Sequence, residues 1–576
     1  NTCYTTIGIH GGRIVYTGQA DENSAPCAKT VIDMAGRPVL PAFTDTHMHM
    51  INSAYLQTIF RLFGVTSIKR VIEMGKEYLK SGEFSRERWV FGRGWNQELF
   101  EEGRMITRDD LDEISSSVPI CIVRICGHIA VLNSAALELL RASAEVEAYA
   151  HNIDWDSGVL RESAVKYCYK IMPPIPKPIM KNLIDMAQRA LLSQGITAVG
   201  TDDFISLPGN NLKVIYESYQ EMAKEGELKV RVSEQCGFVE VNDLEDFIAF
   251  NRKNRIASDF LRMNVIKIML DGSLGGRTAL LKEPYADCPK ETGTQTHSRE
   301  KLNKMVRIAH DNGYQVAVHA IGDKAADIVA DAYIAALKEN PKNDHRHGIV
   351  HFQITDDDLL KKVRDANIIA YIQPVFLSSD LDMLTDRLGE ERAQHTYMWK
   401  TMQDMGIHTG GGSDAPVESF NVLENIFCAV TRQRIHSENH ECHCPQECLD
   451  IKDAVALFTS KAAYLTFEEN KKGTIECLPF DDVSLVIKVM GKMFALIDLE
   501  SANTIALKCD PEYALELRER YTAIEGAYHF NKKYWNKVCF DLDADDRLIE
   551  QLIDHSYEEV IKKFTKKLRA EYDALP

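Results

Sequence analysis

His47 and His49 stand two residues apart, just after the apolar run Pro38-Val39-Leu40-Pro41-Ala42-Phe43. In an extended strand, residues i and i+2 face the same side, so both imidazoles can converge on one cation. Alone, a His-x-His pair is a weak signal. His319, His351 and Asp414 strengthen it, because each follows its own short apolar run. For any one of them the ordinary alternative is a core histidine bonded to backbone or, for Asp414, a helix cap. Five residues placed so consistently favour a shared site. Lys267 lies inside the run Val265-Ile266-Lys267-Ile268-Met269-Leu270, where a bare ammonium is costly to bury unpaired. Two readings stay open for it. One is a salt bridge to Asp271 or another carboxylate; the other is a side chain carbamylated by CO2, an anionic ligand that bridges two metals.

The elements that must position these residues form a rhythm. Eight β-type runs, at residues 38–43, 196–200, 230–232, 265–269, 315–318, 348–350, 368–372 and 407–412, each end in a polar, chemically capable residue. Helix-like segments such as 299–312 and 354–366 fill most gaps. Alternating β and α elements imply a parallel sheet, and eight such units an α/β fold of the (β/α)8 TIM-barrel type with its active site at the strand C-termini. One gap is far longer than the rest. Residues of about 60–190 read as an insertion after strand 1 that covers the barrel mouth, with its own motifs Gly92-Arg93-Gly94-Trp95-Asn96 and Gly127-His128-Ile129-Ala130-Val131-Leu132-Asn133. Upstream, 7–16 and 29–33 read as strands of a small N-terminal β-domain within residues 1–40. Past 472 the pattern changes to a hairpin (485–489 and 493–497, turning at Gly491-Lys492) and helices at 511–520 and 545–570. That predicts a separate α+β domain over 473–576, with the barrel spanning 41–472.

Composition bounds the function. The chain has 576 residues, 45% of them apolar and 26% charged, enough to bury a sizeable core. Its 67 basic residues against 85 acidic ones give a formal charge of −18, which argues against coating nucleic acid or an anionic membrane. No apolar run approaches the roughly 18 residues of a membrane span. The 14 cysteines are irregularly scattered, a pattern expected of reduced thiols in a cytoplasmic protein. The opening Asn1-Thr2-Cys3-Tyr4 shows no basic-then-apolar leader, and the lack of an initiator Met leaves the native start open.

The ordered motifs Leu40-Pro41-Ala42-Phe43-Thr44-Asp45-Thr46-His47-Met48-His49, Lys267-Ile268-Met269-Leu270-Asp271-Gly272-Ser273, Ala317-Val318-His319-Ala320-Ile321-Gly322-Asp323, His347-Gly348-Ile349-Val350-His351 and Gly412-Ser413-Asp414-Ala415-Pro416 resemble the amidohydrolase superfamily. The likeness is greatest to its YtcJ-like branch, which includes N-substituted formamide deformylases, and runs over residues 7–472. It implies one or two divalent metals, commonly zinc, with His47, His49, His319, His351 and Asp414 as ligands and Lys267 as a carbamylated bridge. Trp95, His128, Asn133 and Arg277 fall in motifs implied to line the substrate pocket, with packing and capping the alternative for Trp95 and Asn133. The implied chemistry is attack by a hydroxide formed at the metal, Asp414 taking its proton and passing it to the leaving amine. Deaminases of the superfamily place a Glu three residues after the fifth-strand His, where this chain has Gly322. Hydrolysis of an amide or formamide C–N bond in a small molecule is therefore expected over nucleobase deamination. A catalytically silent barrel serving an interaction role through the C-terminal domain is the alternative.

The C-terminal region resembles the MmcQ/YjbR family in Pro479-Phe480-Asp481-Asp482, Gly491-Lys492-Met493-Phe494, Leu507-Lys508-Cys509-Asp510-Pro511 and Gly526-Ala527-Tyr528-His529-Phe530. Residues 473–576 hold 14 basic and 20 acidic side chains, a charge of −6 that opposes the DNA binding discussed for that family. Nucleic acid is not an expected partner; a homo-oligomer is left open. His440-Glu441-Cys442-His443-Cys444-Pro445-Gln446-Glu447-Cys448 is dense enough in thiols and imidazoles for a structural zinc, but its spacing matches no common finger. A surface stretch is the preferred reading.

Overall fold

A β-strand persists only where its backbone groups find partners, and the computed structural model shows which apolar runs do so. The structure describes residues 5–10, 13–18, 29–35, 37–82, 88–125, 127–437, 441–474, 484–489, 492–498, 504–527, 531–540, 542–565 and 569. The chain divides into two compact units, Pro41–Gly473 and a second made of Asn1–Leu40 with Thr474–Pro576.

The larger unit is built on eight parallel strands: β1 (Phe43–Met48), β2 (Ile196–Thr201), β3 (Arg231–Gly237), β4 (Leu261–Met269), β5 (Gln315–Ala320), β6 (Gly348–His351), β7 (Ile369–Ile372) and β8 (Thr409–Gly411). Each pairs in parallel with its neighbours in sequence order. The ends of the sheet meet just past β8, where the Asp414 N–H donates to the His47 carbonyl at 2.8 Å and the His49 N–H to the Ala415 carbonyl at 2.7 Å. This is the expected TIM barrel. β1 starts later than expected, at Phe43 rather than residue 38, because prolines 38 and 41 have no N–H; the ladder opens with Phe43 N–H to the Gly195 carbonyl.

Strand alternation sorts the side chains into two layers. Ile266, Ile268, Val316, Val318, Ala370 and Ile372 face the helices and join the main core. Val265, Ala317, Val350, Ile369 and Tyr371 face the barrel axis, where Leu465 plugs the lower end. Lys267 and His319 continue two of these inward rows by one step of two residues, which is how an apolar strand comes to carry a polar site.

Between β1 and β2 a six-stranded mixed sheet spans Phe60–Arg61 to Val159–Arg161 and is filled by two cores of its own. The expected insertion reaches too far at its end. Helix Lys177–Ser193 places Met180, Leu183, Ile184 and Leu191 in the main barrel core, so it is the barrel's own helix before β2. A backbone bond from Gly209 N–H to the Tyr169 carbonyl ties the insertion to the loop after β2, on the end of the barrel where strands terminate.

In the smaller unit, Thr6–His10 and Arg13–Gly18 form an antiparallel hairpin, with Gly11 and Gly12 of its turn outside the described residues. Residues 29–33 are not the strand expected of them: Val31 and Ile32 lie 83% and 77% exposed, and no described strand pairs with them. A five-stranded antiparallel sheet carries helices Pro511–Arg520 and Asp546–Ile561. The expected hairpin is there, as Ser484–Val489 against Lys492–Asp498, its turn residue Gly491 lying outside the described residues, as do residues 479–482, 528–530 and 570. The last helix ends at Ile561, short of residue 570. Among the described residues no helix is long and apolar enough to cross a membrane.

Gly200 in β2 is a tight backbone contact beside the site. A Cβ there would sit 2.2 Å from the Thr46 carbonyl oxygen of β1 and 2.9 Å from Gln235 Nε2 of β3. Gly200→Ala must force these strands apart, and we expect it to lower stability by about 1–3 kcal/mol, read as a drop in the denaturant midpoint.

Candidate active site and metal centre

Asp414 is the hub of the strand-end cluster. Its Oδ1 lies 3.3 Å from His47 Nε2 and 3.2 Å from His49 Nε2. Among the described residues, these three form the one group of at least three His, Cys, Asp or Glu ligand atoms that all fall within 4.8 Å of one another. Lys267 Nζ is 3.2 Å from His47 Nε2 and 3.6 Å from Asp202 Oδ2. Its carboxylate neighbour is thus Asp202 and not Asp271, since Lys267 points to the axis while Asp271 lies beyond the strand. His351 joins through its ring, 5.8 Å from that of His47 and 4.4 Å from that of His319. The six residues singled out from the sequence therefore form one contiguous cluster.

The imidazoles are aimed by bonds on their far sides. His47 Nδ1 faces Gln235 Oε1 at 2.7 Å, and Gln235 Nε2 donates to the Thr46 carbonyl, which fixes the amide's orientation. His49 Nδ1 donates to the Asp202 carbonyl at 2.7 Å. Both rings must carry hydrogen on Nδ1, leaving each Nε2 to face Asp414. His319 Nε2 turns outward to the Gly272 carbonyl at 3.2 Å and to Asp271 Oδ1 at 3.4 Å. Asp271 also accepts backbone N–H bonds from Leu280, Ile321 and Gly322, tying the loop after β4 to the loop after β5. Asp45 plays the matching part at the barrel seam, accepting from the N–H groups of His47 and Ser413.

Electrostatics favour a cation in this cluster. Burial pushes the Asp414 carboxyl up, but bonds from His47 and His49 and the neighbouring His351 outweigh it and hold it well below the ordinary carboxylate range. Burial pulls His49 down, yet Asp414 and Asp202 prevail and raise it to about 9, so a proton is drawn to the spot between His49 and Asp414. Burial, then the Lys267 charge, lowers His47, and the same two causes take His319 to about 3. Burial, then His319, lowers His351 far below its usual value, and its Nδ1 is buried without a partner. His351 and Asp414 also sit at φ +76° and +58°, left-handed backbone that non-glycine residues hold only when the surroundings impose it. Two imidazoles held at Nδ1, His47 and His49, beside an ionised carboxylate fit a divalent cation, which would replace the proton drawn between His49 and Asp414.

The expected pocket residues divide. Trp95 is fully buried, stacked on Phe100 and donating to the Ile122 carbonyl. Asn133 caps helix Ser134–Arg141 and spends both ends of its amide on Ile120, Ser115 and Val118 backbone. The structure gives these two packing and capping work. His128 is exposed and pairs with Glu162 at 3.0 Å; Arg277, on the loop after β4, forks onto Asp287 at 3.1 and 2.7 Å. The cysteine-rich stretch holds two separate pairs, Cys442 Sγ with Cys448 Sγ at 3.6 Å and Cys444 Sγ with His443 Nε2 at 3.4 Å, while His440 lies outside the described residues. Sequence reasoning assigned no role to Gln235, Asp202 or Asp45. Asp45 carried a signal in its i−2 spacing from His47, and Asp202 in following the second apolar run; Gln235 carried none.

Fold and site together are those of the metal-dependent barrel hydrolases. The amidohydrolase family profile matches residues 30–477, and a YjbR profile matches 469–559. The Bacillus subtilis protein called amidohydrolase YtcJ is 31% identical over 478 residues, 82% of this chain and 88% of that one. The N-substituted formamide deformylase of Arthrobacter pascens is 23% identical over 499 residues, 83% of this chain and 88% of the relative. A solved structure of an uncharacterized metal-dependent hydrolase from Pyrococcus furiosus aligns with a TM-score of 0.67 at 29% identity, over 82% of this chain and 92% of that chain. The chain belongs to the amidohydrolase family, with a YjbR-like region at its C-terminal end.

Gln235 is the one side chain that sets the tautomer of His47. Gln235→Leu should leave the barrel folded but weaken binding of an added divalent cation by about 10–100-fold, measured by competition with a chromophoric chelator.

Proposed function

We propose that this chain hydrolyses a C–N bond, in an amide, formamide or related group of a small molecule, with one or two divalent cations held by His47, His49, His319, His351 and Asp414. Zinc is the cation best suited to imidazoles with one carboxylate. The observation that carries this reading is the convergence of His47 Nε2, His49 Nε2 and Asp414 Oδ1, with both rings fixed from behind. When bound, the cation would supply polarisation of the substrate carbonyl and a water whose pKa falls to about 7.

The protein's own groups do the rest. Asp414, ionised at neutral pH, accepts a proton from the attacking water at its carboxylate and returns it to the departing nitrogen. Its left-handed backbone and its N–H bond to His47 keep that carboxylate at the barrel seam through both transfers. Arg277 and His128 are assigned to substrate recognition as charged or polar side chains on loops; Trp95 and Asn133 shape the insertion. Lys267 is assigned as the carbamylated bridge, supported by its burial and its contact with His47. A cytoplasmic setting accords with free thiols at the described cysteines.

Asp414→Asn should bind zinc, yet lose about 10²–10⁴ of kcat because an amide cannot shuttle the proton; near-normal turnover in this variant removes the assigned role. For Lys267, growth of the metal-loaded protein with 13C-bicarbonate should yield one carbamate carbon resonance that Lys267→Ala lacks. A chain that binds no zinc, iron or manganese in stoichiometric amount would instead leave a silent scaffold.

A further inference from the structure

Gln373 follows β7 by one residue and belongs to the inward row that begins with Ile369 and Tyr371. Its sequence neighbours Ala370 and Ile372 face the helices, so the alternation is unambiguous. His319 stands in the same relation to Ala317 on β5: each is the first polar residue above an inward core residue, at the end where the cluster lies. Gln373 is 2% exposed. Its Nε2 donates to the Tyr371 carbonyl at 3.2 Å, which decides the amide's orientation, since the opposite choice would set two oxygens against each other. Oε1 is then left buried without any partner.

A buried amide oxygen with nothing to accept is costly by itself, and the cost persists only where something supplies the missing donor. The cations of the proposed site have their own ligands. Other side chains on this face, Lys267 and His47, already contact each other. The group that enters and leaves the pocket is the substrate.

We propose that Gln373 is a specificity-determining residue whose Oε1 accepts a hydrogen bond from the N–H of an amide or formamide substrate. The inference rests on the proposed C–N hydrolysis and narrows it. Substrates bearing an N–H on the scissile nitrogen are selected over esters of the same acyl group and over fully N-substituted amides, which have no hydrogen to offer. A site whose buried acceptor is left unpaired discriminates against the analogue lacking the donor.

The test uses the full-length zinc-loaded chain and a matched pair of probes, an N-benzylformamide and benzyl formate, with Gln373→Met and Gln373→Glu. Gln373→Met keeps the length of the side chain and removes both polar atoms; Gln373→Glu, kept protonated by burial, keeps an acceptor oxygen while its O–H takes over the bond to the Tyr371 carbonyl. We expect Gln373→Met to lower kcat/KM on the formamide about 10–100-fold and leave the ester within about twofold, with Gln373→Glu recovering much of the formamide-to-ester ratio. Zinc content and thermal midpoint should equal those of the unsubstituted chain. As a readout apart from turnover, calorimetric affinity for the formamide in an Asp414→Asn background should fall about tenfold when Gln373→Met is added, while affinity for the ester holds. An active enzyme that loses both probes equally, or neither, overturns the role of Gln373 alone. A zinc-loaded wild type inert on both probes, with no formamide binding, overturns the C–N reading and this inference together.

Discussion

The seam between β8 and β1 is where fold and chemistry become the same contact. The Asp414 N–H closes the barrel on the His47 carbonyl, while its carboxylate lies between the His47 and His49 rings. Asp45 reinforces the seam from beneath through the His47 and Ser413 amides, and burial raises its carboxyl to about 7. Gly412 makes the approach feasible, since a Cβ there would lie 2.7 Å from the His47 nitrogen. Backbone at the seam is thereby held in a left-handed conformation at Asp414 that a loop free to relax would abandon.

From that constraint the rest of the site is positioned by alternation. The inward rows of β4, β5 and β7 run from apolar residues at the axis to Lys267, His319 and Gln373 at the strand ends, and the outward residues between them, such as Ile266, Ile268, Val316, Val318, Ala370 and Ile372, are apolar. Rigid strands hold the groups that must keep their geometry, and the loop after β4 carries Arg277, the residue proposed for substrate recognition. Bonds from neighbouring strands and loops then fix ring orientation: Gln235 on β3 behind His47, and Asp202 just past β2 behind His49.

Much of this was legible in the amino-acid sequence, for a physical reason. A polar residue that ends a short apolar run is a local feature, so the eight strands and the six residues of the cluster could be read without knowing what they touch. What escaped depended on contacts distant in sequence. Gln235 lies 188 residues from His47, and its strand runs on past Val232, where the apolar pattern stops. Trp95 and Asn133 sit in motifs that look like pocket linings, yet the insertion's own core and helix cap consume them. Residues 29–33 have strand composition, but composition supplies no ladder partner.

Charge balance around Lys267 couples two features that are otherwise independent. Behind the cluster lie Asp202, Asp203 and Glu234, all fully buried. Burial raises Glu234 far above its ordinary value, so this carboxyl sheds its charge as a proton rather than balancing it with a cation, while Asp203, raised only to about 6, stays largely ionised at neutral pH. Lys267 as an ammonium, 3.6 Å from the Asp202 carboxylate, then makes a paired interior. Addition of CO2 reverses the sign at that nitrogen. Asp202 would face an anion across a few ångströms of low-dielectric interior, a repulsion that exposed groups could screen and these cannot. Added cation charge held near that nitrogen would remove the conflict. Under the proposed function, the state of this one nitrogen and the cation charge held beside it would therefore have to change together.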